Sequence, residues 1–181
     1  MATDILIADG TAIVIADTTD YAGDLGTRTD QILLEALTNT SARQSAKIDL
    51  GAARADRFAV FAALEFQVAP VSLTVVEFYW GPSPSTTAGT ANPGGLTGAD
   101  AAYTGTASDS LLDSLSQLLH IGNLVCTADA TTVVQFQRIG TIHGAMRYGS
   151  LVVHNLSGQS LLTADAVEMG VALYPLKAQS Q

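Results

Sequence analysis

Apolar and polar residues alternate along several short stretches of the chain, and this period of two is typical of β-strands with one buried side. The clearest stretch is DRFAVFAALEFQ at residues 56–67. Its predicted inward face carries Phe58, Val60, Ala62, Leu64 and Phe66. The run SLTVVEFYW at residues 72–80 follows after a turn at VAPV, so we expect these two strands to form an antiparallel pair.

Further strands are predicted in the second half of the chain, at TTVVQFQRIGTI, YGSLVVHNL and AVEMGVALYPL, and a short one at AKIDLG. The segment QILLEALT fits either a strand or a turn or two of helix. Leucines spaced three and four apart in SDSLLDSLSQLL predict one short helix with Ser108 or Asp109 as its N-cap, followed by a strand near LLHIGNLVCT. The total is eight to ten strands with at most one short helix.

The N-terminal run ILIADGTAIVIA places Asp9-Gly10 between two apolar β-rich segments, which predicts a hairpin with a type I′ turn. Both faces of this hairpin are apolar, so it must pack against something. We therefore divide the chain into an N-terminal hairpin and arm at residues 1–41 and a β-sandwich domain at residues 42–181. The arm either contacts a neighbouring subunit or adds two strands to its own sheet.

Short strands separated by turns, without βαβ alternation and without a long repeat, favour an all-β fold. We expect an antiparallel β-sandwich, and a jelly roll of about eight strands fits the predicted number best. The loops of a sandwich cluster at its two ends.

The composition points to a subunit of an assembly. Charged residues make up 14% of the 181 residues, against about 25% in an ordinary soluble domain, and the net charge is −9. A surface of uncharged polar groups is easier to desolvate against another protein than a charged one, so we expect a homo-oligomer. The acidic balance argues against direct nucleic-acid binding. We expect no membrane span and no signal peptide, hence synthesis in the cytoplasm.

The stretch YWGPSPSTTAGTANPGG at residues 79–95 carries no charge, although it reads as the start of a loop that extends to about Ser108. A loop that faces only water usually carries charged groups. We therefore interpret this loop as a contact surface, with the apolar N-terminal arm as a second one. The candidate interface residues are Tyr79, Trp80, Pro82, Pro84, Asn92, Pro93, Tyr103, Arg147, Tyr148, Ile5, Ile7, Ile13 and Ile15.

Residues that could carry catalysis are few. The three histidines, His120, His143 and His154, have no metal-ligand spacing, so we predict no metal site, no cofactor and no enzymatic activity. Two alternatives stay open. Tyr79, Trp80 and Tyr103 could stack on a sugar in a carbohydrate-binding module, and Glu65 with Glu77 could form the carboxylate pair of a glycoside hydrolase.

Five segments occur in the same order as in a group of small structural proteins of tailed bacteriophages. They are ARQSAKIDLG at 42–51, FYWGPSPS at 78–85, NPGG at 92–95, GADAAYTG at 98–105 and RYGSLVVHNLSG at 147–158. The chain resembles this group over residues 42–176. The resemblance implies a virion component, such as a capsid decoration, collar or other head-associated protein, with other virion proteins as partners. It implies no catalytic residues.

Overall fold

The computed structural model describes residues 5–9, 11–16, 25, 31–51, 55–129, 133–143, 146–163 and 169–180, and for residues 5–9 and 178–180 it describes the backbone alone. This part of the chain forms eleven strands and one helix. The strands are β1 (Ile5–Asp9), β2 (Ile13–Val14), β3 (Ala42–Gln44), β4 (Ile48–Asp49), β5 (Arg57–Leu64), β6 (Val75–Ser83), β7 (Ala101–Tyr103), β8 (Leu119–Val125), β9 (Gln135–His143), β10 (Tyr148–Leu156) and β11 (Gly170–Ser180), with α1 (Leu111–Leu115) between β7 and β8.

The strands form two antiparallel sheets. Sheet A has the order β1-β11-β5-β9, and β2 pairs with β11 beside β1. Sheet B has the order β7-β3-β10-β6-β8, and β4 pairs with β10 beside β3. The predicted all-β, two-sheet architecture with one short helix is therefore confirmed.

A single large core lies between the two sheets. The inward face predicted for residues 56–67 is confirmed, because its five apolar side chains are all buried there. Sheet B contributes Phe78, Trp80 and Leu151 from the opposite side. Cys126 is buried in the same core and behaves as a small apolar residue. Alternation along the strands thus identified the core side of the sandwich.

The predicted N-terminal hairpin is wrong. Both β1 and β2 pair with the same side of β11, one after the other, so they form an edge of sheet A instead of folding back on each other. Asp9 pairs with Leu176 and Ile13 pairs with Leu173. The N-terminal segment therefore has one more residue between these two pairs than β11 has, as in a β-bulge.

Pro175 explains where this interruption falls. The backbone N–H of Ile15 donates to the carbonyl of Val171 at 2.8 Å, so residues 171, 173 and 175 turn their backbone groups toward the N-terminal strands. A proline has no N–H to donate at such a position, and prolines within sheets are confined to edges and bulges. The pairing with β11 is therefore interrupted between Asp9 and Ile13, and β1 and β2 both join the subunit's own sheet.

The predicted pairing of residues 56–67 with residues 72–80 is also wrong. Strand β5 pairs with β11 and β9 in sheet A, while β6 pairs with β10 and β8 in sheet B. The turn between them crosses from one sheet to the other. Consecutive strands of a sandwich often separate in this way, because each inward face needs the opposite sheet to bury it.

The short helix is confirmed with a later start than predicted. Its N-cap is Ser110, whose side-chain oxygen accepts a hydrogen bond from the N–H of Asp113. The predicted strand after the helix is β8. Residues 31–38 form neither of the regular structures expected for QILLEALT; they run as coil and turn, with Ile32, Leu34 and Leu37 buried in the core.

Residues 84–118 return over the outward face of sheet B. Leu96, Leu115 and Leu118 from this segment pack with Val152 of β10 in a second apolar cluster. A Cβ on Gly81 of β6 would lie well inside van der Waals distance of the Leu96 side chain, so the absence of a side chain lets the segment sit against the strand. The loop that follows β6 therefore covers the sheet from which it emerges.

Candidate assembly surfaces

The uncharged loop is built around one lysine. Strand β6 extends through Ser83, so the first five residues of the predicted loop are strand and the loop itself begins at Pro84. The three N–H groups of the Lys47 ammonium are shared among four oxygens within hydrogen-bonding distance: the Ser83 hydroxyl at 2.9 Å and the carbonyls of Ser85 at 3.1 Å, Thr87 at 2.8 Å and Thr90 at 3.0 Å. Loss of hydration on burial lowers the pKa of Lys47. The loop has no cationic side chain of its own. Lys47, which lies outside the loop in the sequence, supplies the hydrogen-bond donors for its carbonyls.

Hydrogen bonds within the loop fix its shape further. The side-chain amide of Asn92 donates to the carbonyls of Ala88 at 2.6 Å and Leu96 at 3.0 Å. Gly98 has a φ of +71°, and a Cβ there would overlap the carbonyl of Ala88. Asn92 and Gly98 therefore draw the two limbs of the loop together, while the tip at residues 84–91 stays at the surface.

The base of the loop is anchored to sheet B by polar contacts. Arg43 Nε lies 2.6 Å from Asp100 Oδ1 in a largely buried ion pair, and the Tyr103 hydroxyl donates to the carbonyl of Gly94. The side-chain oxygen of Gln44 accepts from the N–H of Thr97 at 2.8 Å. Burial raises the pKa of Tyr103 to about 12. The loop is thus a fixed surface feature and not a free segment.

Four of the candidate interface residues come together beside this loop. Tyr148 pairs with Ser83 and Gly149 with Pro82, which places Pro82, Pro84, Arg147 and Tyr148 at one end of the sandwich. The Arg147 guanidinium holds Asp49 with two hydrogen bonds of 2.9 Å and lies 5.1 Å from the centre of the Tyr148 ring. Asn92 and Pro93 lie within the loop, both half-buried.

Three candidate residues are wrong as contact residues, because they are buried inside the subunit. Trp80 and Ile15 are fully enclosed in the main core, and Tyr103 is 2% exposed under the loop. Ile13 packs partly against the same core. Ile5 and Ile7 lie in β1, and their side chains are outside the described set. The described apolar side chains of residues 12–16 and 25 are therefore buried or half-buried within their own subunit.

Tyr79 belongs to a polar cluster on the outward face of sheet B. Its hydroxyl donates to Glu77 Oε2 at 2.8 Å, and the same oxygen lies 3.1 Å from Nδ1 of the buried His154. Burial, and then Glu77, raise the pKa of Tyr79. His120 faces the Tyr79 ring at 5.1 Å and contacts Asn123. Each of these groups has a partner in the subunit, and within the described ranges no three or more His, Cys, Asp or Glu side chains could hold a metal ion together.

Sheet A presents an aromatic groove on its outward face that the sequence analysis did not identify. Its volume is about 330 Å³. The lining residues are Leu25, Ala59, Phe61, Phe136, Arg138, Tyr174 and Leu176. The Phe61 ring stacks on Phe136 at 5.8 Å and meets Tyr174 edge-on at 5.4 Å, and Phe136 is 46% exposed. The signal in the sequence was Phe61, an aromatic residue on the face of β5 opposite the predicted inward one.

The turn between β5 and β6 presents three exposed apolar side chains, and we call them the knob. They are Val68, Val71 and Leu73, with exposed fractions of 52%, 60% and 82%. Leu73 also has a φ of +69°, in the left-handed region that a leucine rarely adopts. An apolar side chain that is both strained and exposed is a feature that the subunit's own core does not explain.

Comparison with known proteins leaves the function to be argued from these surfaces. The described part of the chain contains no helix with the length and hydropathy needed to cross a bilayer. Searches against protein-family models, curated proteins and solved structures found no match to this chain.

Proposed function

We propose that the chain is a structural subunit that works by protein–protein assembly, and that the assembly is a tailed-phage virion. The observation that carries this proposal is the loop tip at residues 84–91, which is mostly exposed and uncharged yet held in place by Lys47. A surface that is already ordered loses little entropy on binding, and uncharged groups that find partners are inexpensive to desolvate. Both properties suit a permanent contact.

The strand order supports the proposal. If β1 with β2 and β3 with β4 each count as one strand and β7 is set aside, sheet A has the order 1-8-3-6 and sheet B has the order 2-7-4-5. We interpret this alternation between sheets as a jelly roll. Jelly rolls occur in viral capsid domains, and also in lectins and cupins, so the fold agrees with a virion subunit without selecting it.

The resemblance of residues 42–176 to small tailed-phage structural proteins selects among these classes. Four of its five segments fall on the loop and its supports: Lys47 lies in the first, Ser83 in the second, Asn92 in the third and Asp100 in the fourth. A position as capsid decoration, collar or other head-associated protein fits a compact subunit with one fixed contact loop. Synthesis in the host cytoplasm and location in the virion follow from this proposal.

The two alternative functions lose their structural basis. A sugar platform from Tyr79, Trp80 and Tyr103 is not available, because Trp80 and Tyr103 are buried. The hydrolase pair rested on β5 and β6 lying side by side, but Glu77 faces outward from sheet B while Glu65 follows a strand of sheet A. A carboxylate pair that flanks one glycosidic bond needs both groups on one cleft.

Attachment to phage particles tests the proposal. Particles that lack the chain are prepared by deleting its gene from the phage genome that encodes it, and purified protein is added back. Wild-type protein should co-sediment with these particles, and Thr87→Asp, which puts a charge on the exposed tip, should weaken attachment about tenfold or more, because an unpaired carboxylate would be buried.

The matched control is Gln117→Asp, which adds the same charge at another exposed position, on the segment just after α1. It should attach like the wild type. Mass spectrometry of intact particles provides the second measurement. Absence of the chain from mature virions, together with no add-back attachment, would contradict the proposal.

A further inference from the structure

The knob at the β5–β6 turn is the starting observation. The N–H of Thr74 donates to the carbonyl of Val71 at 3.2 Å, so residues 71–74 form a β-turn with Leu73 at its third position. A positive φ at that position favours glycine or asparagine. Leucine at this position adds backbone strain and exposes an apolar side chain, and strain of this kind concentrates at functional sites. Leu73 thus combines a strained backbone with an exposed apolar side chain, a combination that suits a contact outside its own subunit.

The groove on sheet A has the complementary shape. The knob is convex and aliphatic, whereas the groove is concave and lined by aromatic rings, leucine and alanine side chains, and one arginine. Its volume of about 330 Å³ is enough for a leucine and a neighbouring valine side chain. The two features lie on different parts of the molecule, one at an end of the sandwich and one on a sheet face, so a subunit cannot fill its own groove with its own knob.

Charges beside the two features are also complementary. The N–H of Ala128 donates to the Ser72 hydroxyl at 3.2 Å, which places exposed Asp129 next to the knob. Arg138 lies at the rim of the groove, where its guanidinium donates to the Thr141 hydroxyl at 2.9 Å. Within the described residues Arg138 forms no ion pair. A carboxylate beside the knob would meet this arginine when the knob enters the groove.

We propose that the knob of one copy of this chain inserts into the sheet A groove of a second copy. The inference rests on the proposed function, because it names the contact through which assembling subunits would associate. The contact is heterologous: two different surfaces meet, and each copy keeps one free knob and one free groove. Such contacts generate closed rings or open chains, according to the rotation between neighbours.

Sedimentation velocity of purified variants tests the contact. Leu73→Asp removes the knob and Phe136→Asp removes the groove, and each variant alone should lose self-association, with an affinity loss of about 30-fold or more as for a central apolar anchor. Leu112→Asp on α1 changes another largely exposed leucine, with an exposed fraction of 66%, away from both surfaces. It should associate like the wild type.

Mixing the two inactive variants gives the sharpest result. The Phe136→Asp protein keeps an intact knob, and the Leu73→Asp protein keeps an intact groove, so an equimolar mixture should form a dimer that grows no further. A symmetric contact between identical surfaces would not be rescued in this way. Reversing the charges supplies an independent test: Asp129→Arg and Arg138→Asp should each weaken association about twofold to fivefold, and the double variant should recover it.

Leu73→Gly keeps the test valid if an aspartate variant folds poorly, because glycine removes the side chain and also relieves the strained backbone. Wild-type protein that stays monomeric at its highest soluble concentration would overturn the inference, as would an oligomer that survives both Leu73→Gly and Phe136→Asp. In either case, the proposed function would still be supported if the protein attached to phage particles. If the protein also failed to attach, both the proposed function and the proposed contact would be wrong.

Discussion

The outward face of sheet B lies beneath residues 84–118, whereas the outward face of sheet A presents an aromatic groove to solvent. Both faces carry apolar side chains. On sheet B, Leu115 and Leu118 from the chain itself enclose Val152. On sheet A, Leu25 covers part of the face, and Phe136 remains 46% exposed. The apolar side chains on the outward face of sheet B are therefore covered by the chain itself, whereas those on sheet A stay partly exposed.

The difference shows where the subunit is complete and where it is not. Some thirty-five residues, several hydrogen bonds and the Arg43–Asp100 ion pair secure the cover of sheet B. That cover also holds the uncharged tip at the surface. The face of sheet A has no comparable set of polar anchors among the described residues, and it keeps a cavity that a second protein can fill. The two faces should therefore respond differently to equivalent changes.

Truncation of one apolar side chain on each face should give the largest contrast. Leu115→Ala under the cover should lower the free energy of unfolding by about 2–5 kcal/mol, because it leaves a cavity in a closed cluster. Phe136→Ala on the open face should lower it by about 1 kcal/mol or less, because nearly half of that side chain is already in solvent. Urea denaturation of both variants measures the difference. Equal losses would mean that the two faces are equally enclosed.

Alkaline pH should act on the covered face through Tyr103. Its pKa is 10.0 in its ordinary state and about 12 in the fold, so above pH 10 the unfolded chain loses the phenolic proton first. The stability that the neutral phenol contributes is complete below pH 10 and declines as pH rises toward 12, by up to about 1.4 kcal/mol per pH unit.

Tyr103→Phe tests this assignment. The variant should lose about 1 kcal/mol at neutral pH, because the hydrogen bond to the Gly94 carbonyl is gone. Its urea midpoint should then fall less steeply than that of the wild type between pH 10 and 12. Parallel pH profiles for the two proteins would show that another group causes the alkaline loss.

Relief of strain at Leu73 should give the smallest effect and the opposite sign. Leu73→Gly removes a left-handed leucine, which costs roughly 1–2 kcal/mol, but it also adds freedom to the unfolded chain. We expect a net gain of about 0.5–1 kcal/mol in the free energy of unfolding, measured at a concentration where the protein is monomeric. A loss of stability would show that the leucine serves its own subunit, and that sheet A's groove needs another partner.

Local pattern predicted much of the fold, because alternation and turn residues are properties of neighbouring positions. The inward face of β5 and the strands β8 to β11 were predicted for this reason. Pairing was not, since the partner of a strand is set by contacts far along the chain. Asp9-Gly10 has the residues of a hairpin turn, yet β1 and β2 both pair with β11, which lies at the far end of the chain.

Local pattern also limited what could be predicted about the candidate interface. The absence of charge at residues 79–95 correctly marked an unusual loop, but it could not show that Lys47 supplies the missing cation from another segment. Trp80 and Tyr103 were assigned to the surface because they lie between Tyr79 and Ser108, in the stretch that was interpreted as an uncharged contact loop. Their burial depends on the returning cover and the opposite sheet, which no local pattern encodes. The knob was not predicted, because nothing in the residue types around Leu73 indicates that its φ is +69°.

Dependence on Lys47 has a practical consequence for handling the protein. The chain has two lysines, and aldehyde fixatives, acylating dyes and carbamylation by aged urea all react with such amines. Modification of Lys177 changes a side chain that is already exposed, near the end of β11. Modification of Lys47 removes the donor that three carbonyls share and releases the tip from its support. Samples for imaging or conjugation therefore keep their native loop only if the chemistry spares this nitrogen.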